Sequence, residues 1–273
     1  MTGLSPAGSD PAAAGADPDF LRFVEQIRAH TRIDLSQYKE NQMKRRLTTL
    51  RLRHGFSTFD AYWQALSRSP ELMDEFLDRM TINVSEFWRN PGRWEVLGSR
   101  FLPELLQDNP RLRCWSAACS TGEEPYTLSI LLEELGASAR SEITATDLDR
   151  GVLAKAEAGE YHSRSVKDVP KPLLDKHFKA IPGGFAVRPE LRRIIRFRQH
   201  NLLDDRFDGP YDLIICRNVM IYFTEEAKTL LYRKFAEALR PGGILFVGST
   251  EQIFSPGDYG LESAETFFYR RKA

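Results

Sequence analysis

Two adjacent carboxylates, Glu123 and Glu124, stand in the segment RCWSAACSTGEEPYTLS, Arg113 to Ser129. There an apolar run passes through small residues into a plausible helix. A strand-to-helix turn of this kind is where open parallel sheets receive nucleotides, with the positive helix end facing a phosphate. A pyrophosphate site would offer GxGxxG. This turn has one glycine, Gly122, and its two glutamates would repel a diphosphate and attract a cation. Helix capping explains part of the pattern, with Ser120 or Thr121 as N-cap, Glu123 or Glu124 completing a capping box, and Pro125 in the first turn. It does not explain a second acidic strand end, TATDLD. Asp147 falls there, a little over about 20 residues beyond Gly122, where ribose hydroxyls are typically held. Asp149 reads as the N-cap of the helix that follows. An adenosine ribose, a positive centre and no phosphate together describe S-adenosylmethionine.

These residues need a sheet to hold them. LRCWSAA and SEITATDLD read as strands with the helix YTLSILLEEL between them. YDLIICRN and GGILFVGS read as buried strands on either side of the helical EEAKTLLYRKFAEAL, and ETFFYRR as a last strand, a candidate for antiparallel pairing. The alternation predicts an α/β fold with a doubly wound, mostly parallel sheet. HFKAI, GFAVRP and RIIRFRQH are too close together for crossover helices, which predicts a small antiparallel insert at about residues 174–200. From Phe20 to Met80 the apolar spacing is helical throughout: Phe20, Phe23, Val24 and Ile27, then Met43, Leu47 and Leu50, then Leu72, Phe76 and Met80. The expected organisation is a disordered tail over 1–19, a helical domain over 20–90 and a sheet domain over 91–273.

Composition narrows the function classes. The 38 basic and 38 acidic side chains cancel, so recognition of nucleic acid or of a membrane surface by overall charge is not expected. No apolar run reaches the about 18 residues of a membrane span. The Ala-, Gly-, Pro- and Ser-rich start lacks the basic and apolar blocks of a signal peptide. Three cysteines without a CxxC and five scattered histidines predict no metal site and a reduced, cytoplasmic setting.

The segments NVSEFWRNPGRW, SAACSTGEEPY, ATDLDRGVLAKAEAGEY, NLLDDRFDGPYDLIICRNVMIYF and LRPGGILFVGSTE occur in this order over most of the chain. Together they resemble the CheR family of chemotaxis receptor methyltransferases. The resemblance implies a helical N-terminal domain followed by a Rossmann-like S-adenosylmethionine-dependent methyltransferase domain with an inserted β-subdomain. It implies methyl transfer to glutamate side chains on cytoplasmic helices of chemoreceptors, giving glutamyl methyl esters and leaving S-adenosylhomocysteine. It places cofactor contacts on Asn83, Ser85, Arg89, Glu123, Asp147, Asn201, Leu202, Asn218 and Val219, with Glu123 preferred over Glu124. Ser85 stands where members often have threonine and keeps the hydroxyl; Trp88 stands where a second phenylalanine is common. In some members the β-subdomain also pairs with a C-terminal receptor peptide by β-augmentation.

A glutamate acceptor is ionised at neutral pH, so transfer needs positioning and no general base. Desolvating that carboxylate calls for a cation, and Arg89 is the candidate, holding either the acceptor carboxylate or the cofactor's own. The resemblance places Tyr222 beside the transferred methyl group. In QMKRRLTTLRLRH, Lys44 and Arg51 flank the apolar stripe on one side and Arg46 and Arg53 on the other, while Arg45 points away. These four cations form the candidate docking face for an acidic substrate helix. A base-amino methyltransferase would carry an Asp/Asn-Pro-Pro-aromatic motif where CRNVMIY stands, and a nicotinamide dehydrogenase would carry the missing glycines. A non-enzymatic docking module would not need Arg89, Asn218 and Tyr222 together.

Overall fold

The computed structural model describes residues 17–81 and 85–273; of the tail expected over 1–19, residues 1–16 lie outside the described residues. Four helices open the fold: α1 (Pro18–Thr31), α2 (Glu40–Arg53), α3 (Phe59–Leu66) and α4 (Pro70–Met80). Asp17, Thr58 and Ser69 accept backbone N–H groups from the helices they precede, and proline opens α1 and α4. The helix therefore starts within the stretch assigned to the tail, because Asp17-Pro18 is itself a helix start. Asp19 reaches across to accept from the N–H groups of Phe59 (2.6 Å) and Asp60 (3.0 Å), tying α1 to α3. The buried interior is aromatic. Phe23 lies 5.0 Å from Phe59 and 5.8 Å, edge-on, from Phe76. Met43, Leu47, Leu50 and Met80 complete this core.

Next come α5 (Pro91–Val96) and α6 (Leu102–Asp108), continuous through a π-helical turn at Leu97–Phe101. The chain then alternates through β1 (Arg113–Ala117), α7 (Glu123–Glu134), β2 (Glu142–Asp147), α8 (Arg150–Ala158), β3 (Glu160–His162) and α9 (Lys171–His177). It continues through β4 (Phe178–Ile181), β5 (Gly184–Val187), α10 (Pro189–Arg192), β6 (Ile195–Gln199) and β7 (Tyr211–Cys216). The last elements are α11 (Glu225–Ala238), β8 (Leu239–Val247), β9 (Leu261–Glu265) and β10 (Phe268–Arg271).

A seven-stranded sheet runs in the order β6-β2-β1-β7-β8-β10-β9. Its first five strands are parallel, and β10 is antiparallel to both β8 and β9. Alternate residues of β7 enter two separate cores. Leu213 and Ile215 pack with α5, α6 and α7, while Ile214 and Cys216 pack with α11. Burial on both faces explains the unbroken apolar run Leu213–Cys216. Strand order reverses between β1 and β7. Ala117 pairs with Thr146 on one side and Cys216 on the other, so three strand ends open together at the switch point.

The insert differs from expectation in one strand. The small antiparallel sheet has the order β3-β5-β4, so HFKAI and GFAV belong to it. RIIRFRQH does not: β6 pairs in parallel with β2, from Ile143 with Ile195 to Asp147 with Gln199. The short α10 turns the chain away from the hairpin, and the third strand of the insert comes instead from Glu160–His162, just after α8. Sequence proximity favoured the hairpin reading; a parallel partner about 50 positions away has no local signal.

The helical region docks on the sheet domain through backbone. Tyr38 forms an antiparallel β-bridge with Phe223, the Lys39 N–H donates to the Tyr222 carbonyl, and the Thr224 N–H donates to the Gln37 carbonyl, both at 2.9 Å. Arg32 pairs with Asp204 at 3.1 Å. The segment after the helices is fastened as well, with the Phe87 N–H on the Ser165 carbonyl at 3.0 Å.

Candidate active site

A cavity of about 780 Å³ lies between the strand ends and the helical region. The turn after β1 contributes Ala118, Cys119 and Ser120, and the end of β2 contributes Asp147 and Leu148. His200, Asn201, Leu202 and Leu203 follow β6; Arg217, Asn218, Val219, Tyr222 and Phe223 follow β7. Ser85, Glu86 and Arg89 enter from the connecting segment. The roof is α2 with the end of α4: Gln42, Arg45, Arg46, Thr49, Arg53 and Arg79.

Its floor is acidic. Asp147 is 7% exposed and accepts from the backbone N–H groups of Ser120 (2.8 Å) and Asp149 (3.1 Å). Burial pushes its pKa up, against those two donors. Glu124 accepts from the Ser116 hydroxyl at 2.7 Å and lies 3.8 Å from the Arg217 guanidinium. Burial pushes its carboxyl up to about 7, with Arg217 and Ser116 pulling the other way. Glu123 does not line the cavity. Its carboxylate turns toward the Thr121 hydroxyl (2.6 Å) and the Ser85 hydroxyl, and burial raises its pKa too. The capping expectation is corrected: α7 starts on Gly122 with no side-chain cap, and neither Ser120 nor Thr121 takes that role. Asp149 does cap α8, accepting from Gly151 and Val152.

The turn is held by close approach. Gly122 has φ +94°, and a Cβ there would lie 2.8 Å from that of Ala156 on α8. Ala118, Ser120 and Asn218, which line the cavity, also have positive φ, as do Trp88 and Asn90 on either side of Arg89. Three non-glycine residues in the left-handed region lining one cavity mark a backbone shaped by something other than its own preference. Asn218 is fixed from behind: Glu251 accepts from its N–H at 2.6 Å and from that of Gly248 at 2.9 Å. A Cβ on Gly248 would stand 2.4 Å from that carboxylate, so only glycine fits.

Arg217 is 7% exposed, and burial lowers its pKa. It donates to the Arg89 carbonyl (2.8 Å) and the Asn90 side-chain oxygen (2.9 Å), with its guanidinium 4.7 Å from the centre of the Phe246 ring. It thereby joins the end of β7 to the segment that carries Arg89. In the roof, Arg46 donates to the Met80 carbonyl at 2.7 Å, at the C-terminus of α4. Arg46 and Arg53 line the cavity. Lys44 and Arg51 do not: Lys44 pairs with Asp17 at 3.1 Å, and Arg51 stacks 4.7 Å over Phe59. Arg45, expected to point away, lines the cavity instead. The face of α2 turned to the sheet domain is the 42/45/46/49/53 stripe, because the Met43, Leu47 and Leu50 stripe is taken by α1, α3 and α4.

Sequence profiles of known families match almost all the described residues. The CheR methyltransferase all-alpha domain matches 18–81, and the CheR methyltransferase S-adenosylmethionine-binding domain matches 83–268. The chain belongs to the CheR methyltransferase family. A chemotaxis protein methyltransferase of Listeria innocua is 44% identical over 254 residues, covering 93% of this chain and 97% of its own. That of Listeria monocytogenes is 43% identical over 256 residues, with the same coverages. Chemotaxis protein methyltransferase 1 of Pseudomonas aeruginosa is 35% identical over 276 residues, covering 96% and 100%. This CheR chain is thus a chemotaxis methyltransferase with a helical domain and an S-adenosylmethionine-binding domain.

Of the residues that the CheR resemblance singled out, the structure brings Ser85, Arg89, Asp147, Asn201, Leu202, Asn218, Val219 and Tyr222 to one cavity. Asn83 lies outside the described residues. Sequence reasoning missed Arg217 and Glu251, although both sit inside quoted motifs; their roles come from partners distant in sequence. Tyr38 and Arg79 carried no local signal. No helix is long and apolar enough to cross a membrane among the described residues.

Proposed function

We propose that this CheR protein methylates glutamate side-chain carboxylates on the cytoplasmic helices of chemoreceptors, forming methyl esters and S-adenosylhomocysteine. The carrying observation is the polarity of one cavity: an acidic floor at the strand ends beneath a roof of arginines on α2 and α4. The donor set fits the methyl donor. Asp147 offers acceptor oxygens for ribose hydroxyls and Glu124 a carboxylate for a cationic group, while Gly122 and Gly248 let the turns behind them pack closely against Ala156 and Glu251. Asn201, Leu202, Asn218, Val219 and Ser85 complete the walls of that floor. Glu124 takes the role first given to Glu123, whose carboxylate instead bonds to Ser85 and Thr121.

Bound S-adenosylmethionine supplies an electrophilic methyl group on a cationic sulfur. The chain supplies placement. Arg89, in the connecting segment, offers the guanidinium that offsets desolvation of a carboxylate, the acceptor's or the donor's own. Tyr222 lies on the same wall, within electrostatic reach of Arg46. Arg46 and Arg53, one heptad apart on α2, meet acidic positions of a substrate helix, with Arg45 and Arg79 beside them. The edge strands β3 and β4 of the small sheet offer backbone for a receptor C-terminal peptide.

Incubation with radiolabelled S-adenosylmethionine and a chemoreceptor cytoplasmic fragment tests the reading. Label on the receptor that alkali releases as methanol supports a carboxyl ester. Alkali-stable label, or label only on added RNA, contradicts it.

A further inference from the structure

The helical region does more than roof the cavity: its backbone is hydrogen-bonded to the turn that presents Tyr222. We propose that the bridge between Gln37–Lys39 and Tyr222–Thr224 is a positioning element that sets Tyr222 in register with the substrate-docking helix. This rests on the reading of Tyr222 as a residue of the transfer site.

Four observations converge on it. The Lys39 N–H donates to the carbonyl of Tyr222 itself, and the Thr224 N–H returns a bond to Gln37, both at 2.9 Å. Between them Tyr38 packs edge-on against Phe223, ring centres 5.1 Å apart. Glu40, the next residue after Lys39, begins α2, whose 42/45/46/49/53 stripe faces the cavity. On its other side the same turn is held by Glu251, which accepts from Asn218 (2.6 Å) and Ile221 (3.3 Å). The Tyr222 turn is thus clamped between a carboxylate of the sheet domain and the residues that lead into the docking helix. Two hydrogen bonds fix both distance and direction, so a substrate seated on α2 and the phenol of Tyr222 share one rigid reference.

The backbone permits a clean deletion of each bond. Lys39 has φ −57° and Thr224 φ −65°, both values that proline adopts. The preceding residues, Tyr38 (ψ 153°) and Phe223 (ψ 156°), are extended as proline requires of its neighbour. Lys39→Pro and Thr224→Pro each remove one bridging N–H. Lys39→Ala and Thr224→Ala remove the same side chains, including the Thr224 hydroxyl that caps α11, and keep the N–H.

The experiment measures kcat and KM for a receptor cytoplasmic fragment and calorimetric affinity for S-adenosylhomocysteine in all four variants, with Tyr222→Phe as reference. Each proline variant is expected to turn over about tenfold or more slowly than its alanine counterpart, with S-adenosylhomocysteine affinity unchanged. Equal kcat in the proline and alanine variants overturns the proposal. A fall in S-adenosylhomocysteine affinity parallel to kcat overturns it too, since the bridge would then shape the donor site. A normal Tyr222→Phe sinks the reading of Tyr222, whereas an impaired Tyr222→Phe beside normal proline variants sinks only the bridge. Because the two N–H groups lie at opposite ends of the bridge, either variant carries the test if the other does not fold.

Discussion

Glu124 is the residue whose chemistry most directly separates this site from a phosphate site. Burial raises its carboxyl to about 7, so it is neutral well below that pH and ionised above it. A cationic ligand favours the ionised form. Affinity for S-adenosylmethionine is therefore expected to rise between about pH 6 and pH 8 and then level off, releasing protons on binding at the acid end. Glu124→Gln should flatten that profile and weaken binding roughly tenfold or more at the upper end. The stability consequence has the opposite direction. A folded pKa above the ordinary 4.5 means that Glu124 contributes fully below that value and progressively less as pH rises through about 7. Glu124→Gln, always neutral, should gain Tm relative to the parent at pH 8 and not at pH 5. A pH-independent affinity in the parent would contradict both statements. Arg89 and Tyr222 belong to this scale as well: Arg89→Ala and Tyr222→Phe are expected to lower kcat more than S-adenosylhomocysteine affinity. Unchanged turnover in both would remove them from the mechanism.

At the scale of elements, α2 serves two neighbours with two stripes. Met43, Leu47 and Leu50 hold the helical core, and the stripe through Arg46 and Arg53 faces the cavity. Reversing both charges, Arg46→Glu with Arg53→Glu, should raise the KM for a receptor fragment by about tenfold and leave S-adenosylhomocysteine affinity unchanged; parallel loss of both would mean unfolding. The 3.6-residue spacing of apolar side chains made the helix legible, because burial on one stripe needs that spacing. Which remaining face meets the sheet domain was not legible. Arg45, Lys44 and Arg51 were misplaced because the choice depends on Asp17, Phe59 and the docked strand ends, none of which the helix's own sequence encodes. The strands show the same boundary. β7 and β8 were readable as buried runs and β1 and β2 as strands around a helix, whereas β6 took its partner from a strand about 50 positions earlier. Asp147, at the end of β2, was readable because ligand chemistry collects at strand ends, whereas Asn218 came only from the CheR resemblance. Glu251 was not readable, since it works by holding the backbone of Asn218 from behind.

On the scale of the whole molecule, a net charge of zero conceals a polar division. Asp147 and Glu124 lie enclosed at the strand ends with Arg217 buried beside them, whereas the arginines of α2 and α4 reach solvent. Salt screens exposed charges far more than enclosed ones. Raising ionic strength from about 0.05 to 0.5 M should therefore raise the KM for the receptor fragment several-fold while changing S-adenosylmethionine affinity much less. Equal sensitivity of the two would mean that the division has no functional consequence. The backbone bridge at Tyr222 fits the same architecture, since a site whose halves lie on two regions needs a fixed joint between them.

The most direct measurement is to incubate the protein with methyl-deuterated S-adenosylmethionine and a chemoreceptor cytoplasmic fragment, then locate the deuterated methyl groups by peptide mass spectrometry. The expected result is single methyl additions on glutamate carboxylates of receptor helices, reduced in the Arg46→Glu, Arg53→Glu variant. Methyl groups found on lysine or arginine nitrogens, or none on the receptor while S-adenosylmethionine is consumed on another acceptor, would contradict it.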